Sequence, residues 1–162
     1  MYQSPVRELE NYHTNHTAYQ NTEISGECSF KGINGRVIDL SAEVLSGDFR
    51  CLSIHFAHNE EYTSCFTYNK EEQSIEFDRT YSGMIRDSVS KRKMKFEKPQ
   101  KTLRLRLILD KFSAELFVND GCQTFSTTLY TPLEADDIIF KCDGKAILNI
   151  EKFDIQTNQE DI

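Results

Sequence analysis

The sequence predicts an all-β protein, an antiparallel β-sandwich of two packed sheets preceded by a short N-terminal helix. Three observations carry that expectation. Apolar side chains alternate with polar ones at a period of two through most of the chain beyond residue 24. Turn residues separate these runs at intervals of about eight to twelve residues, the spacing of a sandwich or barrel. Only three prolines interrupt 162 residues, and no long structureless stretch is visible, so residues from about 24 to 155 form one compact unit.

The elements follow in chain order. Ser4-Pro5 has the form of a helix start, with Ser as N-cap and Pro at the first helical position. Val6 and Leu9 then share a face, and Tyr12 or His13 follows a turn later, which predicts a helix over residues 5–12. Arg7 stands where a capping box needs an acid. The polar stretch from Thr14 to Glu23 reads as a connector, so residues 1–23 form a linker helix and connector and residues 24–162 the sandwich.

Within the sandwich Leu52, Ile54 and Phe56 alternate with Ser53 and His55. Tyr62, Ser64, Phe66 and Tyr68 alternate with Thr63, Cys65 and Thr67, and Ile75 and Phe77 flank Glu76. Met94 and Phe96 flank Lys95, while the basic run Lys91-Arg92-Lys93 reads as part of a solvated connection. The clearest strand is 103–109, where Leu103, Leu105, Leu107 and Leu109 oppose Arg104 and Arg106. Burying each leucine contributes roughly 1.5–3 kcal/mol as an upper figure, against a net domain stability of ~5–15 kcal/mol. A one-residue slip would exchange leucines for arginines, so the register is firmly set. Ser113–Val118 and Gln123–Thr128 flank Asn119-Asp120-Gly121, a strong hairpin signal because Gly supplies the positive φ that the turn needs. Ile138–Cys142 and Ala146–Ile150 complete the series, with Asp143-Gly144 as a second tight turn. Some ten short strands with this punctuation suit a jelly-roll or concanavalin-like sandwich.

Composition narrows the function classes. A net charge of −7 argues against nucleic acid, whose phosphates need a concentrated basic face. No apolar run approaches the ~20 residues of a membrane span, and the N-terminus shows no apolar leader, which makes a cytoplasmic setting the expectation. Cys28, Cys51, Cys65, Cys122 and Cys142 are odd in number, scattered and without Cys-x-x-Cys, so reduced thiols are expected. His13–His16 and His55–His58 each have His-x-x-His spacing but no further ligand nearby, and odd spacing on a strand puts such a pair on opposite faces. No metal or organic cofactor is expected.

The stretch Asp110-Lys-Phe-Ser-Ala-Glu-Leu-Phe-Val-Asn-Asp-Gly121 resembles a signature of glycoside hydrolase family 32, in the C-terminal β-sandwich of its invertases, levanases and sucrose-6-phosphate hydrolases. Ile75-Glu-Phe-Asp-Arg79, with Ser82-Gly83 beyond it, is similar to that family's Asp-Arg segment. Gln3-Ser-Pro-Val-Arg-Glu-Leu-Glu10 resembles its helix between catalytic propeller and sandwich. Phe112 departs from the small or hydroxyl residue common there. The family's catalytic motifs, Asn-Asp-Pro, Arg-Asp-Pro and Glu-Cys, are missing apart from an isolated Glu27-Cys28, and the chain has no Trp.

The resemblance implies a non-catalytic accessory domain. It would pack against and stabilise a five-bladed propeller of the same parent chain, with a homodimer contact as a second role. The parent would hydrolyse sucrose, sucrose 6-phosphate or a fructan. Asp78, Arg79, Asp110, Glu115, Phe117, Asn119, Asp120 and Gly121 are then motif residues with structural roles. A retaining glycosidase needs two carboxyl groups about 5–5.5 Å apart. Glu115 belongs instead to a polar strand face, Asp120 to a turn, and Asp78 with Arg79 to an ion pair at a strand end. The alternative is a fructan-binding module using Tyr62, Tyr68 and Tyr81, although without Trp the isolated domain is expected to bind carbohydrate weakly or not at all. An apolar docking patch is expected near the N-terminal helix, with Val37-Ile38 and Ile138-Ile139 as candidates.

Overall fold

The computed structural model describes residues 2–83 and 90–156. Residues 157–162, the end of the predicted sandwich segment, lie outside them. A 3₁₀ helix, Arg7–Tyr12, leads into β1 (His13–Cys28), β2 (Ile38–Asp48), β3 (Cys51–His58), β4 (Thr63–Asn69) and β5 (Ser74–Tyr81). Then come β6 (Lys91–Lys95), β7 (Leu103–Asp110), β8 (Ser113–Val118), β9 (Gln123–Thr128) and β10 (Asp137–Ile155). Neighbouring strands pair antiparallel.

Two sheets arise because two strands turn a corner. Residues 137–142 of β10 pair with β3, and residues 145–154 pair with β2. The first sheet is therefore β6-β5-β4-β3-β10, and the second β10-β2-β7-β8-β9. β1 follows β10 along its length and shifts register at the same corner, between Ser25 and Gly26. Asp143-Gly144, expected as a tight turn, is this corner inside a continuous strand. A Cβ at Gly144 would lie 2.1 Å from the Asp48 carbonyl oxygen, so only glycine lets β10 pass the β2–β3 turn. Asp143 Oδ1 accepts the backbone N–H groups of Arg50 and Cys51 at 2.8 Å each, tying the corner to that turn.

The core fills the space between the sheets. Leu103, Leu105, Leu107 and Leu109 all point into it, with Arg104 and Arg106 on the outer face, as the pattern requires. From the first sheet Phe56, Phe66 and Phe77 stack in a row, and Phe66 meets Phe125 of β9 edge-on at 5.6 Å, which joins the two layers.

Other local expectations fail for physical reasons. Residues 14–23, expected as a connector, belong to β1. Its polarity is that of an edge strand paired only with β10, and bulges at Asn15 (φ 47°) and Asn21 (φ 50°) break its alternation. The basic run 91–93 lies in β6, the other edge, where Lys91 pairs with Asp78 and Lys93 with Glu72. The predicted helix over 5–12 shortens to a 3₁₀ helix without a side-chain cap, because it has no apolar face to bury. Ile38 and Ile138, offered as docking residues, are 1% and 2% exposed and belong to the core.

Candidate functional site

The signature stretch forms a cleat on the second sheet. Asn119, Asp120 and Gly121 adopt φ of 46°, 59° and 83°, so the β8–β9 turn is left-handed throughout. Asn is tolerated there because its amide replaces backbone partners. Asn119 Oδ1 accepts the Arg104 N–H at 2.8 Å, and its Nδ2 donates to the carbonyl of Thr102 at 2.9 Å and to Gln100 Oε1 at 2.6 Å. Asp120 accepts from Arg104 at 2.8 Å. The N-terminal segment is fastened here: the Gln3 N–H donates to the Gly121 carbonyl at 3.1 Å, and Thr124 Oγ1 donates to Gln3 Oε1 at 2.8 Å. A Cβ at position 121 would sit 1.6 Å from the Gln3 carbonyl oxygen, a second reason for glycine beyond its φ.

From this anchor residues 3–12 cross the outer face as a strap and enter β1 at the opposite end, where His13 pairs with Ile155. That landing point is held by charge. Asp39, 3% exposed, accepts two hydrogen bonds from Arg106, at 2.9 and 2.6 Å, and contacts His13 Nε2 at 2.9 Å. The hydrogen bonds from Arg106 to Asp39 hold the guanidinium above its ordinary pKa. His13 and His16 each stack on Phe153, with centroids 4.3 and 4.4 Å away, because the bulge at Asn15 restores them to one side. His16 also meets Glu151 at 2.7 Å.

Between strap and β1 lies a groove of about 470 Å³. Gln3, Ser4 and Pro5 form one wall and Gln20 the other; Ser41, Glu43, Arg104, Arg106, Phe117 and Asn149 lie in the floor. Of the motif residues, Asp120 and Gly121 reach it from the turn, and Phe117 from β8, since its neighbours Leu116 and Val118 face the core.

The remaining motif residues are dispersed. Asp78 lies on the outer face of the first sheet. Burial alone would raise its carboxyl, but the Thr80 hydroxyl and amide and the Lys91 ammonium hold it below the ordinary range. Arg79, expected to pair with Asp78, points the other way into the interior and donates to the Thr128 carbonyl at 3.0 Å, as strand alternation demands. Asp110 caps the β7–β8 turn through the Lys111 N–H. Glu115 is exposed on β8. Asp110 and Asp120 stand beyond opposite ends of that strand, roughly 20 Å apart by strand rise, so these two carboxylates form no glycosidase pair.

His55 and His58, expected on opposite faces, share one face with ring centroids 6.4 Å apart, because Ala57 (φ 47°) forms a bulge between them. Burial, then the Lys141 ammonium and His58, push His55 down to about 4. Among the described residues no group of three or more His, Cys, Asp or Glu is arranged to hold a metal. The five cysteines are free, and burial raises the Cys65 thiol to about 11. Tyr62, Tyr68 and Tyr81 form no common platform: Tyr68 is in the core and accepts from Gln73, while Tyr81 is exposed.

Sequence reasoning missed Gln3, Asp39, Arg106, Asn149 and also Arg36. Arg36 is 6% exposed and donates to the carbonyls of Lys111, Thr131, Pro132 and Ala135, which fastens the 129–135 loop to the β7–β8 turn. Burial lowers its pKa, and Asp136 and Glu134 partly offset that. No local pattern marks a residue whose partners lie 75 to 99 positions away.

The relatives share this architecture. The chain is 23% identical over 155 residues to the sucrose-6-phosphate hydrolase of Staphylococcus xylosus, covering 95% of this chain and 31% of that protein. The structure of sucrose-6-phosphate hydrolase from Lactobacillus gasseri matches with a TM-score of 0.78 at 21% identity, over 96% of this chain and 31% of that one. The exo-inulinase of Aspergillus awamori matches with a TM-score of 0.80 at 14% identity, over 96% and 32%. The chain thus spans about a third of the length of these proteins. The family model described as glycosyl hydrolases family 32 C terminal matches residues 8–157, and the chain belongs to that family as its C-terminal β-sandwich domain.

Proposed function

We propose that this chain is the accessory, non-catalytic sandwich of a fructoside-hydrolysing enzyme, packing against and stabilising a catalytic propeller of the same longer chain. The strap carries the reading. Tyr2, Val6 and Tyr12 are 76%, 68% and 44% exposed on a segment that is otherwise pinned to the sheet, so apolar groups are held rigidly outward. Interfaces within a chain bury ~600–1,500 Å², and such groups supply their centre. The same strap is the surface a homodimer would use. The dispersed motif carboxylates support leaving hydrolysis of sucrose, sucrose 6-phosphate or fructan to the propeller. The free, scattered thiols support a cytoplasmic setting.

The test joins this chain in frame to the catalytic region of the Staphylococcus xylosus relative, replacing that protein's own sandwich. The pure 162-residue chain is expected to leave sucrose, sucrose 6-phosphate, inulin and levan at buffer background. The chimera is expected to melt several degrees above the bare catalytic region, and Val6→Asp with Tyr12→Asp to abolish the gain. Saturable hydrolysis by the pure chain, or a chimera no more stable than the bare region, overturns the reading.

A further inference from the structure

We infer that the groove beneath the strap binds a neutral oligosaccharide, and that in a fructoside-hydrolysing parent its ligand is a short fructan. The choice of fructan rests on the function proposed above; the choice of a neutral sugar rests on the groove itself. Its volume of about 470 Å³ falls in the ~300–1,000 Å³ range of small-molecule sites.

The floor has the chemistry that hydroxyl groups need. A sugar hydroxyl donates and accepts at once, so it is best met where a carboxylate and a guanidinium stand side by side. Arg104 supplies that arrangement twice, with Nε 3.4 Å from Glu43 Oε1 and Nη1 2.8 Å from Asp120 Oδ2. Each carboxylate meets Arg104 through one oxygen, and a carboxylate has a second oxygen that can accept a hydroxyl proton. Asn149 and Gln20 add amides with both donor and acceptor character. Phe117 offers a ring against which the C–H face of a furanose can pack.

Charge decides the class of sugar. Three lining carboxylates, Glu43, Asp120 and Glu151, face two guanidinium groups, and Arg106 is already committed to buried Asp39. A phosphorylated sugar would meet net repulsion there, whereas a neutral one meets none. The walls are also pre-formed, which lowers the ordering cost of binding. Gln3 is tied to Gly121 and Thr124, and the Asn21 N–H at the β1 bulge donates to Asn149 Oδ1 at 3.0 Å.

The experiment is an amide-resolved NMR titration of the 162-residue chain with kestose, and separately with sucrose 6-phosphate. Kestose is expected to give saturable shifts at Gln20, Ser41, Phe117 and Asn149 with a dissociation constant on the order of millimolar, and sucrose 6-phosphate to bind more weakly. Ser41→Tyr fills the groove from its floor and should weaken kestose at least about tenfold. Phe117→Ala, which removes the ring without adding bulk, should weaken it in the same direction and covers a folding failure of the first variant. Lys95→Tyr, exposed on β6 at the edge of the first sheet, should change nothing. No saturable groove shift with kestose, tighter binding of sucrose 6-phosphate, or unchanged affinity in folded Ser41→Tyr and Phe117→Ala overturns the inference. The outcomes separate from the docking reading: a chimera stabilised by the strap with no kestose bound removes this inference alone. Kestose bound in the groove of an unstabilised chimera removes docking alone.

Discussion

β7 and β1 are both paired strands of the second sheet, and they obey different rules. β7 lies between β2 and β8, and its eight residues alternate between buried leucines and outward polar or half-buried groups. β1 is twice as long, pairs only with β10, buries Ile24 alone and shifts register three times. An inner strand is held by its side chains, because each inward residue excludes water from the core. An edge strand of this kind is held by its hydrogen-bond ladder to a partner, so its own sequence is free to be polar.

The largest expected effect breaks the inner strand. Leu107→Ala leaves a cavity where the leucine is fully buried, at a cost of ~2–5 kcal/mol in chemical denaturation. Ala18→Thr, exposed in β1, should stay within about 0.5 kcal/mol. Ile24→Ala sharpens the contrast: it should cost about as much as the β7 change, since the rule is burial and not the strand. Equal costs for Leu107→Ala and Ala18→Thr would refute the distinction.

Gly121→Val comes next, because it attacks the point where strap and inner hairpin meet. Positive φ and the approach of the Gln3 carbonyl both oppose a side chain, so a loss of ~1–3 kcal/mol is expected. Limited proteolysis should then cut within residues 3–12 while β7 and β8 stay protected. Wild-type stability together with an uncut strap would contradict the anchoring role.

The last effect, read as a slope against pH, lies at the bulge in β3. His55 is held neutral, down to about 4, while in the unfolded chain it titrates near 6.5. Above pH 6.5 neither state takes the proton. As pH falls from 6.5 towards 4 the unfolded chain alone binds it, so stability declines by at most about 1.4 kcal/mol per pH unit, and below 4 this group adds nothing more. His55→Gln should flatten the slope of stability against pH across that window. An unchanged slope would mean that His55 is not shielded as its position beside Lys141 implies.

Legibility in the sequence followed the same division. Leu103–Leu109, the Asn119–Gly121 turn and the alternation around Phe66 and Phe77 were readable because one period and one turn chemistry account for each. The His55–His58 face, the β1 strand and the basic β6 edge were misread because a bulge, an edge position and a cross-strand carboxylate each override local pattern. Asp143-Gly144 shows the same limit: the residues mark a place where backbone needs glycine, and a strand corner needs it as much as a turn does.

By itself the sequence determined the fold class, the buried faces of strands such as β7 and the family, since all of these rest on periodicity and on a contiguous motif. Only the tertiary structure decided the strap, the groove and the Asp39–Arg106–His13 contact. Those features join Gln3 to Gly121, Arg106 to Asp39 and Asn21 to Asn149. Their partners are brought together by the stacking of antiparallel strands far apart in the chain, and a hydrogen bond between such residues leaves no trace in the residues beside them.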